Sequence, residues 1–339
     1  MMNNLFRYAG LFSFSFLLLS CGGGESSSDD GSAVIIPPAN NMVSFTLGLS
    51  DAPVDDADEV IITIESITFK KENGDEVVFD TFNNDSEGIV DAETITLDLL
   101  KFQGGTQFNV LENATIEAGQ YNQVIINVND EDITKSYVTE IDGAVKSIKV
   151  PSNSLKLGGI TFIQSQETQA FTIEFNLRKS MTYKPGPQEY NLKPTGVRLV
   201  DNSQAGTISG TVDINAINLN EYCIAENHLI YLYQGQELDA SQLADSFDSD
   251  VANNGAPEGA IAPLDSVSPT FDNDSQSYRF EFGFVPSGDY TLVYACNTGE
   301  NGDDPDVYDA ITLPNPASEL ITLSVENKTT FTQNFPIQN

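Results

Sequence analysis

The sequence predicts an all-β protein, with two antiparallel β-sandwich domains behind a signal peptide and a flexible linker. Three observations carry this. Apolar and polar residues alternate with a period of two through stretch after stretch, the pattern of strands with one buried face. Turn-forming Asn-Gly and Asp-Gly pairs separate several of these stretches. Apolar residues at helical spacing are confined to one short segment beyond the leader. The chain has 339 residues and is 40% apolar, enough for two domains of ordinary size with real cores.

The elements follow in order. Residues 1–20 hold an apolar run from Leu5 to Leu19 with a single early cation, Arg7. The run closes on Leu17-Leu18-Leu19-Ser20-Cys21, followed by Gly22-Gly23-Gly24. A charged start, an apolar middle and small residues at a cut site make a secretory signal. The run is too short for a comfortable membrane span, which needs ~20 residues. Residues 21–41 are rich in Gly, Ser, Asp and Pro without periodicity, and read as a tether with a reach of ~25 Å.

The first domain, 42–203, opens with Val43, Phe45, Leu47 and Leu49 alternating with polar residues. Val124, Ile126 and Val128 repeat the pattern, as do Phe171, Ile173, Phe175 and Leu177. Val60–Ile64 and Val77–Phe79 are continuous apolar runs and read as central strands, with a hairpin turn at Asn73-Gly74 between them. Asp142-Gly143 marks another turn. The apolar pattern breaks at Asp201–Gly206, which sets the boundary to a second domain, 204–339. There Ile208, Gly210, Val212 and Ile214 alternate, then Phe280, Phe282 and Phe284, then Tyr290, Leu292, Tyr294 and Cys296. Leu243, Phe247 and Val251 sit at helical spacing and predict a short helix over Ala240–Val251. A weak internal repeat links the two domains. Ile116-Glu117-Ala118-Gly119-Gln120-Tyr121 precedes one strand, and Val285-Pro286-Ser287-Gly288-Asp289-Tyr290 another. In each, the Gly turns into the strand, and the buried Tyr can bond its hydroxyl to nearby backbone as a tyrosine corner.

Fifty acidic residues against 15 basic ones give a formal charge of -35. Such a field excludes nucleic acid and anionic lipid surfaces as partners. Of the three cysteines, Cys21 stands at the cut site. Cys223 and Cys296 remain, an even number that suits a disulfide in an oxidising compartment. Its loop-closure entropy is worth ~4 kcal/mol. The one histidine, His228, stands at the mouth of an apolar strand without a nucleophile elbow, so it reads as a satisfied or surface side chain rather than a catalytic base. No catalytic residue is assigned, and no cofactor is required. Calcium is the small ligand that the acidic clusters suggest, because hard cations take several carboxylate oxygens from a compact loop. The first set is Asp303, Asp304, Asp306 and Asp309; the second is Asp51, Asp55, Asp56 and Asp58; Asp245, Asp248 and Asp250 form a third group.

Two resemblances add to this reading. The tract ending at Cys21 resembles the lipobox of bacterial lipoproteins, which implies acylation of Cys21 and an outer-membrane lipoprotein facing the periplasm or the surface. The first domain resembles domain-of-unknown-function family 4382. Its motifs are Ser50-Asp51-Ala52-Pro53 with Asp56 and Asp58-Glu59-Val60, Leu97-Asp98-Leu99-Leu100 with Gly104-Gly105, Ala118-Gly119-Gln120-Tyr121, Val150-Pro151-Ser152, Phe175–Ser180 and Tyr190–Pro194. That family implies an exported β-rich domain without an assigned activity. Asn176 stands where an acid is expected in this pattern. Over Gly206–Asn297 the second domain more faintly resembles prealbumin-like and carboxypeptidase-regulatory-like sandwiches, through Gly206–Val212 and Pro286–Tyr290. The expected function is a lipid-anchored, non-enzymatic binding or adhesion module of the envelope, with an unknown protein or polysaccharide ligand. A periplasmic structural or assembly partner and an unrecognised polysaccharide hydrolase are the alternatives.

Overall fold

The computed structural model describes residues 41–52, 57–165, 167–215, 228–248, 254–296, 298, 303 and 307–337. The signal peptide, Cys21 and the tether up to residue 40 therefore lie outside the described residues, as do Cys223, Asp55, Asp56, Asp250, Asp304 and Asp306. The protein is all-β, and residues 41–339 form one compact unit. Among the described residues no helix is long and apolar enough to cross a membrane.

The first lobe packs a four-stranded sheet against a nine-stranded one. In the smaller sheet the strands run Val197–Asp201, Gln169–Asn176, Met42–Ala52 and Phe108–Glu117. The centre of the larger sheet is Ala57–Lys70, whose Val60, Ile62, Ile64, Ile67 and Phe69 are fully buried. It pairs with Gln123–Val128, Tyr137–Glu140, Ile95–Asp98 and Glu76–Phe79. Val77–Phe79 is thus not a central strand: it pairs with Ala57–Lys70 alone, and Val78 is 51% exposed. The Asn73-Gly74 and Asp142-Gly143 turns form as the sequence predicts, each with Gly at positive φ. Between the sheets Phe45, Phe69, Phe79, Tyr121 and Phe162 meet mostly edge to face, with centroids 4.9–6.1 Å apart. Truncating one of the fully buried rings to Ala would cost about 3–5 kcal/mol.

The second lobe stacks two four-stranded sheets. One runs Thr270–Asp272, Ser277–Pro286, Ala205–Val212 and Thr330–Thr332; the other Asp265–Val267, His228–Gln234, Gly288–Cys296 and Leu320–Val325. Its core joins Ile208, Phe280, Phe282, Leu292, Tyr294 and the late Phe335.

Three features depart from the sequence reading. The sheets are not purely antiparallel. Met42–Ala52 runs parallel to Gln169–Asn176, Ile148 and Lys149 pair in parallel with Tyr190 and Asn191, and Thr207–Ser209 pair in parallel with Thr330–Thr332. Strand pairs so far apart in sequence are joined by long crossovers, which permit parallel pairing where a tight hairpin does not. Over the described part of the predicted Ala240–Val251 helix, residues 240–248, the only helical turn is a 3-10 turn, Ala240–Gln242, started by Asp239, whose carboxylate accepts the Ser241 N–H; Val251 lies outside the described residues. Beyond it Leu243 and Phe247 bury their side chains from non-helical backbone, so their spacing reflects packing and not helical periodicity. Third, the strands' polar faces are not all solvated, as described below.

Both tyrosine corners are present. Tyr121 donates its hydroxyl to Glu117 O at 3.0 Å, and Tyr290 to Pro286 O at 2.7 Å, each four residues back. Gly119 at φ 145° and Gly288 at φ 158° supply the turn, conformations an L side chain rarely adopts.

Candidate functional site

Among the described members of the calcium sets, Asp245 lies close enough to Asp303 to push its carboxyl up, and Asp309 does the same to Asp245. Asp51 is buried at the end of the Met42–Ala52 strand, while Asp58 is exposed. Asp303 is buried and accepts the Ser246 N–H, while Asp309 is exposed and its N–H goes to Asp245. In the third group, Asp245 is fully buried and accepts the Asp309 and Ile311 N–H groups, and Asp248 meets Lys193 at 2.5 Å. Among the described residues no three His, Cys, Asp or Glu side chains gather as metal ligands. His228 is a satisfied core side chain: the residue is 8% exposed and Nδ1 lies 2.5 Å from the Tyr294 hydroxyl. Burial lowers its pKa. Cys296 ends the Gly288–Cys296 strand, fully buried and directly opposite His228. Cys223, five residues before His228, lies outside the described residues.

The feature that sequence reasoning missed is a buried charged seam between the lobes. On the Gln169–Asn176 strand, Thr172, Glu174 and Asn176 alternate with the apolar Phe171, Ile173 and Phe175. All six side chains are 3% exposed or less. Period-two logic assigns the polar three to solvent; here the second lobe covers them. Arg198, on the neighbouring strand and opposite Glu174 in register, bridges Glu174 at 2.6 Å and Asp265 of the second lobe at 3.1 Å. Asn176 Nδ2 donates to the other oxygen of Asp265 at 2.7 Å, and Asn176 Oδ1 accepts the Lys179 N–H, capping the short Leu177–Ser180 turn. The family-like Arg178-Lys179 pair also crosses the seam. Arg178 Nη2 donates to Ser268 Oγ at 3.1 Å, and Lys179 Nζ donates to the carbonyls of Pro263 and Leu264.

The electrostatics follow from burial. Desolvation pushes the Glu174 and Asp265 carboxyls up, and Arg198, shared between them, pulls both back. Burial lowers Arg178 and Lys179. Farther along, burial raises Asp245 and Asp303 to about 6 each. Asp303 acts electrostatically on Arg178, Tyr231 and Tyr233. Arg198 is shared by the Glu174 and Asp265 carboxyls, so removing it strands both.

A second contact lies at the family-like Gly104-Gly105. The Gly105 N–H donates to Glu281 Oε1 at 2.6 Å. A Cβ on Gly283 would come 2.0 Å from Gly104 O, so the two backbones meet at a distance that only glycine allows. Of the residues that join the lobes, Asn176, Arg178, Lys179, Gly104 and Gly105 lie in the tracts of the family resemblance, while Glu174, Arg198 and Asp265 do not. The available signal was chemical: an acidic chain with 15 basic residues places two of them, Arg178 and Lys179, at the end of an apolar strand.

Compared with solved structures, the chain overlaps the Bacillus anthracis TIE protein at 11% identity and a TM-score of 0.18, covering 88% of this chain and 35% of that one. The chain thus spans about a third of that protein's length. The major pilin subunit of Bacillus cereus overlaps at 11% identity and a TM-score of 0.17, over 86% of this chain and 69% of that one. A fimbrial protein from Bacteroides ovatus does so at 9% identity and a TM-score of 0.16, over 87% and 49%. Superpositions this loose carry no functional argument. No curated protein matches the chain. The sequence matches one family model: residues 42–194, which build most of the first lobe and include Asn176, Arg178 and Lys179 of the seam, match the model described as "Domain of unknown function (DUF4382)".

Proposed function

We propose that the protein is a lipid-anchored, non-enzymatic binding or adhesion module of the cell envelope. The observation that carries this reading is the seam. Arg198 bridges Glu174 and Asp265, Asn176 donates to Asp265, and Lys179 donates to the Pro263 and Leu264 carbonyls, which ties two sandwiches into a stiff two-lobed body suited to presenting a surface. A pre-formed body loses little freedom on binding and so retains affinity. The anchor rests on the tract at Cys21 alone: several acyl chains hold a protein on a membrane where one holds it marginally.

The test pairs location with binding. Cells producing the chain are compared with a deletion strain for adhesion to polysaccharide-coated and protein-coated surfaces, while soluble products are monitored. Adhesion that depends on the chain, without release of products, is expected; equal adhesion by the deletion strain refutes the module. Cys21→Ser should take up no labelled palmitate and remain an unprocessed precursor. A calcium ion at the 303–309 or 51–58 loop stays a proposal. Its check is whether millimolar calcium raises the melting temperature beyond matched sodium chloride.

A further inference from the structure

Beside the lobe junction lies an open groove of about 510 Å³, whose lining includes Ser268, the acceptor of Arg178 in the seam, and Val267 and Phe280 of the second core. Its floor is the outward face of the sheet built on Ser277–Pro286 and Ala205–Val212, and Gln103 and Gly104 of the first lobe line it as well. Strand register orders the floor into two polar rows. In one, Thr270 and Thr211 flank Arg279, and Asn334 accepts both the N–H and the hydroxyl of Thr211 at 2.9 Å. In the other, Glu281, Ser209 and Thr332 stand abreast. Neighbouring strands are ~4.8 Å apart, so each row offers a hydrogen-bonding group at that interval.

We infer that this groove binds a linear neutral glycan, laid across the strands. The inference rests on the proposed binding module and names its ligand class. Four properties point that way. The volume falls within the ~300–1,000 Å³ of small-ligand sites. The floor mixes hydroxyls, an amide, a guanidinium and a carboxylate at an interval comparable with the rise of an extended sugar chain, so successive hydroxyls meet successive partners. The two charged groups are held in place beforehand: Arg279 by Asp272 at 3.0 Å, and Glu281 by the Gly105 N–H at 2.6 Å. The chain's formal charge of -35 disfavours an anionic polymer, which leaves an uncharged polyhydroxyl ligand as the best match. A protein partner fits less well, because the floor offers no exposed aromatic anchor of the kind that dominates protein interfaces.

The full-length chain in detergent micelles is titrated with cellohexaose, mannohexaose and, as the acidic comparison, hexagalacturonate. Binding of a neutral hexasaccharide is expected. Thr332→Trp, which fills the groove from an exposed position, and Arg279→Ala should each weaken it by at least ~tenfold, about 1.4 kcal/mol. Tyr183→Ala, on the other lobe, should leave binding unchanged, and the melting temperature of each variant controls for folding. If a neutral glycan binds the parent chain and both groove variants alike, the groove is overturned while the binding module stands. If no neutral hexasaccharide binds, or only the acidic one does, the ligand class is overturned and the adhesion assay alone judges the module.

Discussion

Asn176→Asp changes one atom type and should destabilise the protein sharply. The Asn176 amide donates to Asp265 at 2.7 Å, with Asn176 3% and Asp265 1% exposed. A carboxylate there keeps the cap on the Lys179 N–H, because its oxygen still accepts, but loses the donation to Asp265. A lost hydrogen bond to a charged group costs about 1.5–3 kcal/mol. The new charge also faces Asp265 at contact distance. Two unit charges ~4 Å apart interact by about 4 kcal/mol at an effective dielectric constant of 20. The site escapes part of that by taking up a proton, which at ~1.4 kcal/mol per pH unit lifts the new carboxyl toward neutral pH. The expected loss is therefore about 3–5 kcal/mol at pH 8. It should shrink to about 1 kcal/mol near pH 5, where the protonated acid can again donate to Asp265. Denaturant melts of the parent and the variant at both pH values measure it. A loss below ~1 kcal/mol at pH 8, or one that does not change with pH, would refute the reasoning. The departure from the expected acid at Asn176 thus has a physical reason: Glu174 and Asp265 already place two carboxyls in the seam, and the third position must donate.

Three further outcomes are expected. Arg198→Ala removes the cation shared by Glu174 and Asp265 and should cost about 3–5 kcal/mol, the range for stranding buried charges, with partial recovery in acid as the carboxyls protonate; a normal melt at pH 8 would contradict the seam. Burial raises Asp245 and Asp303 to about 6 from the ordinary 3.8, so the folded state holds protons that the unfolded chain releases. Their ionisation costs stability as pH rises from ~4 through 6, up to about 2–3 kcal/mol per group, and melts should improve on acidification from pH 7.5 to 4.5. Relief of overall repulsion has the same sign, so Asp303→Asn is the control, and an unchanged pH slope in that variant would count against the assignment. Mass mapping without reductant should find Cys223 joined to Cys296, since the chain places Cys223 five residues from the direct partner of Cys296 in the sheet; two free thiols would exclude the pairing.

Much of the architecture was legible in the residues themselves. Alternation at Val43–Leu49 and Phe171–Phe175, the Gly-bearing turns at residues 74 and 143, and the repeated Gly-x-Tyr corner are local chemistry, and local chemistry survives folding. The sequence also determined the charge of -35 and the lone His228, whose place beside Tyr294 needed only a strand. Partners distant in sequence were decided by tertiary structure. Met42–Ala52 lies parallel to a strand more than a hundred residues later, and no local signal states that. Leu243 and Phe247 mimic a helix because the core needs apolar groups at those points, whatever backbone delivers them. Above all, a period-two pattern tells one face of a strand from the other, but not whether the polar face meets water. Thr172, Glu174 and Asn176 read as solvated until a second lobe brings Asp265 against them. A charge buried in a fold differs from one on a surface only by what covers it, and the cover here arrives some ninety residues farther along the chain.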